Sequence, residues 1–132
     1  MSGQAFPKSL RLLNSGDFQS VFDQAPFRAN HQQFLILARS NERNYPRLGL
    51  VIAKKHVRLA VERNRIKRQI RESFRHRQAL LAGLDVIVLA RKGMDSLSNQ
   101  QLSEHLEQQW QRLIRKARQT LATKTSPRSP DL

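Results

Sequence analysis

Cysteine is absent from the 132-residue chain, which removes disulfides, thiol nucleophiles and thiolate metal sites together. Long apolar runs are missing too, and no stretch approaches the roughly 20 apolar residues that a spanning helix needs. The opening "MSGQAFPKSLRLL" holds no continuous apolar segment of the kind a secretory signal carries, so a cytoplasmic protein is expected. No repeat of solenoid length is visible. Acids are scarce: ten Asp and Glu stand against twenty-four Lys and Arg, a net charge of +14. An enzyme for small substrates has no need of that imbalance, whereas a polyanionic partner, nucleic acid or an anionic membrane surface, accounts for it.

Residues for chemistry are equally thin. His31, His56, His76 and His105 are scattered, with no H-x-x-x-H spacing, and no paired acids could hold two metal ions for phosphodiester cleavage. Neither a phosphate-binding G-x-x-x-x-G-K-[ST] loop nor a GxSxG elbow is present. His56, beside Lys54 and Lys55, is the best lone candidate for acid–base work. Nothing in the sequence orients it, so a surface or phosphate-contacting His is the simpler reading.

What is present organises as one domain over residues 1–122 with a polar, Pro-containing tail at 123–132 that is expected to be disordered. "NSGDFQSVF" (14–22) reads as a short helix, with Phe18, Val21 and Phe22 at i, i+3 and i+4. "QFLILAR" (33–39) and "LGLVIAKK" (48–55) read as strands joined by the turn "NERNYPR" (41–47), and the short link suggests antiparallel pairing. Leu48, Leu50 and Ile52 share one face of the second strand. A basic helix runs from about residue 58 and is closed near Gly83 after a break. "LDVIVLARK" (84–92) is a third strand, at the separation of a strand–helix–strand crossover and hence parallel to the second. Ser98 and Gln101 form a capping box for a last helix with Leu102, Leu106, Trp110, Leu113, Ala117 and Leu121 on one stripe. The fold class is α+β, helices packed on a small mixed sheet.

The basic helix holds the strongest signal. From Lys54 to Arg77, ten Lys or Arg against two Glu leave +8 of the +14. Ile66, Ile70 and Phe74 fall on one face and can dock the helix, while Asn64, Arg68, Arg71 and Arg75 form a second stripe about 60° wide. A merely solvated helix intersperses acids at i, i+4 to relieve repulsion, and this one does not. Seven of the ten cations are Arg, whose guanidinium binds phosphate through a fork and stacks on bases. The Asn64 amide suits a base edge or a ribose hydroxyl. A membrane would want bulky apolar residues opposite the charge for insertion, and Ile66 and Ile70 are better placed in the core. Nucleic acid is favoured over membrane. Phe18, Phe22 and Phe34 can close the core or line a groove where unpaired bases stack, and burial preference alone favours the core.

"ERNRIKRQIRESFR" resembles the signature of the protein subunit of bacterial ribonuclease P, whose basic helix opens with Arg-Asn-Arg. "FQSVF", "RLGLVIAKK" and "DVIVLARK" are similar to the same family's landmarks and stand in the same order, so the resemblance covers roughly residues 8 to 118. It implies a partner in an endoribonuclease that removes the 5′ leader from precursor tRNA, with catalysis in an RNA subunit. Mg²⁺ would then be held mainly by that RNA, with none bound by the protein alone. Carried over, Arg11, Arg63, Asn64, Arg65, Lys67, Arg68 and Arg71 contact the catalytic RNA. Phe18, Phe22, Phe34, Leu37, Lys54 and Lys55 line the groove for the single-stranded leader, which raises the groove reading of the Phe residues above the core one. Leu37 stands where many members carry an aromatic residue, so contact there is apolar rather than stacked.

The family's α-β-β-β-α-β-α sandwich implies a further strand near 27–32 and a left-handed crossover around the basic helix, where the general rule gives a right-handed one. The partners implied are the catalytic RNA and precursor tRNA, with the protein alone monomeric. The alternative is a general RNA-binding or ribosome-associated protein with no role in cleavage. A metal-dependent nuclease acting alone is weakest, since its ligands are absent.

Overall fold

The computed structural model describes residues 15–23 and 25–125, and within them every side chain except those at 15, 17, 18, 20 and 120–125. Helix α1 (Ser15–Asp23) is followed by strands β1 (Phe27–Asn30), β2 (Phe34–Ser40) and β3 (Arg47–Val51). Helix α2 (Ala60–His76), strand β4 (Leu84–Ala90), a single 3-10 turn (Met94–Ser96) and helix α3 (Asn99–Thr125) complete the order. The strand implied near 27–32 is β1. Helix α3 runs through residues 123–125, which the sequence placed in the tail; the rest of that tail lies outside the described residues.

The four strands form one mixed sheet in the order β1-β2-β4-β3. β4 pairs parallel with β3 and antiparallel with β2. The expected parallel pair is therefore present, but the expected β2–β3 pairing is not, because β4 lies between them. The cause is apolar content. Six of the seven residues of "LDVIVLA" are buried, and a strand apolar on both faces belongs in a sheet's centre. Two strand spacings are only about 10 Å, which the six-residue link 41–46 crosses with ease. β3 is also shorter than its apolar pattern suggested. It ends at Val51, and Lys54 and Lys55 lie in a turn closed by the His56 and Val57 amides on the Ala53 carbonyl, both at 3.0 Å.

One face of the sheet carries the main core. Helix α2 docks there through Ile66, Ile70 and Phe74, each fully buried, and each such side chain contributes about 1.5–3 kcal/mol. Helix α3 adds Leu102, Leu106, Trp110, Leu113 and Ala117, all buried; the Leu121 side chain lies outside the described residues. The Trp110 indole stands edge-on to Phe74, with ring centroids 5.8 Å apart, and its N–H donates to Ser73 Oγ at 2.7 Å. That bond satisfies the buried donor and sets the register of α3 on α2. The capping box forms as the sequence dictates: the Gln101 amide donates to Ser98 Oγ at 3.1 Å and the Ser98 amide to Gln101 Oε1 at 2.9 Å. Helix α2 ends at His76, and the turns that follow close on Gly83 at φ +89°, a backbone state that favours glycine.

The opposite face carries a smaller cluster of Val21, Leu37 and Ile87, ringed by the half-buried Ala25, Leu35, Val51 and Leu89. Helix α1 covers only part of this face. The sheet thus has one fully packed side and one side where, among the described residues, the apolar floor stays half-buried at Leu35, Val51 and Leu89.

Candidate nucleic-acid interface

The cations gather where the topology sends them. Parallel strands β3 and β4 end at the same edge of the sheet. The segment after β3 carries Lys54, Lys55 and Arg58, and the one after β4 carries Lys92, all exposed. Helix α2 starts from that same edge. Lys92 was not singled out in the sequence, although it stands in "DVIVLARK". Its signal is topological, since it joins Lys54 and Lys55 only once β3 and β4 are known to be parallel neighbours.

Along α2, Asn64, Arg68 and Arg71 are exposed and Lys67 is half-buried. Three of the four residues of the predicted stripe therefore face outward, while the fourth, Arg75, is half-buried and pairs with Glu72 at 2.9 Å. Arg63 and Arg65 behave differently. Arg63 Nη1 donates to the carbonyls of Val57 at 3.0 Å and Arg58 at 2.8 Å, which ties the preceding turn to the helix. Arg65 donates through Nε to Glu62 Oε1 at 2.9 Å, through Nη1 to Asn99 Oδ1 at 2.8 Å and through Nη2 to the Asp95 carbonyl at 3.2 Å. Both were expected to contact RNA. Their bonds here are to the protein, and they fix the start of α2 against its neighbours. Arg11 lies outside the described residues.

The groove face is best followed as rows across the strands. Asn30, Leu35, Leu89 and Val51 form one row, and Arg28, Leu37, Ile87 and Gly49 the next. The third row is Arg39, Asp85 and Arg47. Asp85 is fully buried and grips the Arg47 guanidinium through two bonds of 2.9 and 2.8 Å, while Asn41 Nδ2 donates to it at 2.9 Å. A buried carboxylate so provided for is a structural anchor. It closes one end of the groove face; the Lys54, Lys55 and Lys92 edge lies at the other.

The groove residues divide. Phe22 on α1 is 42% exposed and follows Val21, which is in the cluster on this face. Leu37 is in that floor under α1, buried rather than open. Phe34 is a correction: it is fully buried in the main core, on the far side of the sheet. Successive strand side chains alternate between faces, so positions 34 and 37 cannot share one. Phe34 instead stacks on His31 at 4.4 Å between centroids. The Phe18 side chain lies outside the described residues.

His31 makes a second contact, to His105 of α3, with ring centroids 4.5 Å apart. Its Nδ1 accepts from the Gln33 amide at 3.0 Å. Burial, then the nearby His105 and Arg91, lower its pKa below 6.5. His56 is half-buried in the turn after β3. Among the described residues no three His, Asp or Glu side chains gather where they could share a metal ion. No helix among them is long and apolar enough to cross a membrane.

The family Ribonuclease P matches residues 6–114. The "Ribonuclease P protein component" of Chromohalobacter salexigens is 48% identical over 96% of this chain and 100% of its own length. That of Pseudomonas aeruginosa is 46% identical over 96% of this chain and 94% of its own. Among solved structures, a Staphylococcus aureus RNase P protein mutant with defective mRNA degradation activity superposes with a TM-score of 0.71 at 28% identity, covering 84% of this chain and 90% of that one. The RNase P protein from Thermotoga maritima gives 0.61 at 29% identity, over 74% and 96%. With the family matched over residues 6–114 and relatives 46–48% identical over 96% of its length, the chain belongs to the ribonuclease P protein family.

Proposed function

We propose that this chain is the protein subunit of ribonuclease P, which binds the catalytic RNA and promotes endonucleolytic removal of the 5′ leader from precursor tRNA. The observation that carries the reading is the outward stripe of Asn64, Arg68 and Arg71 on a helix anchored by Ile66, Ile70 and Phe74, in a chain of this family. Such a stripe neutralises phosphates and releases their counterions, which strengthens RNA binding most at low salt. The floor between Phe22 and the sheet suits unpaired bases of the leader, with Lys54, Lys55 and Lys92 at its edge for the phosphates. Mg²⁺ held mainly by the RNA would supply the activated water; the protein's part is to bind, orient and screen charge. This places the protein in the cytoplasm with two RNA partners, the catalytic subunit and the precursor.

Incubating labelled precursor tRNA with protein, with catalytic RNA, and with both at low Mg²⁺ tests the proposal. Cleavage at the leader junction is expected to rise sharply only in the mixture. Cleavage by the protein alone, or no gain from adding it to the RNA, overturns the reading.

A further inference from the structure

Two large apolar side chains stand out where the surface is otherwise cationic. Val61 is 68% exposed and Leu59 is 61% exposed, more than any other large apolar side chain among the described residues. At about 100° per residue, Val61 lies within about 20° of Arg68 and about 60° of Asn64, and opposite Ile70. It therefore lies just beyond the Arg68 edge of the outward stripe. Local structure does not ask for these residues. A β-branched residue in the first turn is a poor helix former. Leu59 is the N-cap of α2 and makes no side-chain capping bond, where Ser, Thr, Asn or Asp would stabilise the helix.

We propose that Val61, with the exposed Leu59 two residues before it, gives the start of α2 an apolar seat for unstacked nucleobases of the catalytic RNA. This rests on the reading of α2 as RNA-facing and extends it from charge to base contact. RNA offers one kind of large apolar surface, the faces of its bases, which is free only where bases are unpaired. The surroundings suit the rest of a nucleotide: exposed Lys54, Lys55 and Arg58 precede the pair and exposed Asn64 and Arg68 follow it. The same cations oppose a second copy of a +14 chain across this surface. The seat is also pre-organised. Arg63 clamps the carbonyls of Val57 and Arg58 just before it, and Arg65 pins the helix to Asn99 and Asp95, so binding need not order the backbone.

Apolar contact and phosphate contact have different salt signatures. Only the second releases counterions, so only the second changes the slope of log affinity against log salt. The full-length Leu59→Ser/Val61→Ser variant, titrated with catalytic RNA over a salt series, is expected to bind about tenfold more weakly with an unchanged slope, a loss in the range for burying modest apolar area. Its thermal midpoint should not fall below that of the unsubstituted chain, because both residues are largely exposed and Ser at the N-cap adds a capping bond. Unchanged affinity overturns the seat, as does a weaker complex with a flattened slope. Self-association of the unsubstituted chain in sedimentation, abolished by the double variant while RNA affinity is kept, also overturns it and makes the occupant a second copy. If the unsubstituted chain fails to bind catalytic RNA at all, the functional reading falls first, and that result is distinct from the others.

Discussion

At the scale of single residues, the three positions of the Arg-Asn-Arg run differ in their contacts within the protein. Three consecutive helical residues point about 100° apart, so they do not share one face of the helix. Arg63 is seven positions before Ile70 and therefore nearly in line with it, on the docking side of the helix, where it meets the carbonyls of Val57 and Arg58. Charge made the three residues look equivalent in the sequence; angular position separates them, and that much was legible. The partners of Arg65 were not, since Asp95 and Asn99 come from 30 and 34 residues away. Replacing Arg65 with Ala should lower the thermal midpoint of the free protein by about 3–6 °C, the shift expected for about 1 kcal/mol in a domain of this size. Arg68→Ala should leave the midpoint in place and reduce the salt slope of RNA binding by about one unit or less. Melting curves and a salt titration on the two variants check this. If Arg65→Ala melts like the parent and flattens the slope, its guanidinium serves RNA rather than the fold.

Elements show where sequence reading works and where it stops. The docking face of α2, the stripe of α3 from Leu102 to Ala117 and the Ser98 box were legible because helical periodicity is long and redundant. β2 was harder. "FLILAR" is apolar on both faces, so its pattern does not announce which parity meets which layer. The even positions, Phe34, Ile36 and Ala38, enter the main core, and Leu37 goes to the α1 side. Phe34→Ala should therefore cost about 3–5 kcal/mol in urea unfolding, as for other buried aromatics. Phe22→Ala should spare stability and weaken binding of leader-bearing precursor more than of mature tRNA. Equal losses for the two RNAs would remove Phe22 from the groove. The β1–β2 turn adds a pH effect. His31 packs against Phe34 and His105, with Arg91 donating to its carbonyl at 2.9 Å, and its pKa in the fold is lowered from 6.5. Below 6.5 the unfolded chain takes up a proton that the folded chain refuses, so stability is full above that pH and falls as acid is added towards the folded value. Thermal midpoints measured from about pH 7.5 to about pH 5.5 should drop, and less so in His31→Asn. An identical pH profile in that variant would locate the effect elsewhere.

The whole molecule is a compromise between a sheet that needs covering and a charge that needs a partner. α2 and α3 seal one face, while α1 leaves the other partly open, and the parallel β3–β4 pair delivers cations to one edge of it. Total charge was plain from composition. Its placement was not, because the link between β2 and β3 is as short as a hairpin's and only the apolar content of β4 puts that strand between them. The protein's own acids do not balance the excess. Ion pairs such as Arg75 with Glu72 and Arg77 with Glu107 offset only part of it. Self-repulsion across a compact +14 chain should therefore lower the stability of the free protein, and whatever screens or binds that charge should restore it. Raising salt from about 20 to about 300 mM shortens the Debye length from about 20 Å to about 6 Å, below the span of the basic surface. The thermal midpoint of the free protein should rise over that range by several degrees, with sulfate ahead of chloride at equal ionic strength. A neutral osmolyte at matched osmolality is the control, because it strengthens burial without touching charge. Catalytic RNA should raise the midpoint further at low salt, and the gain should shrink as salt increases, since the same phosphates then compete with free anions. A midpoint indifferent to salt would mean that the cations are already neutralised within the fold, and the basic surface would lose its role as an uncompensated RNA-docking face.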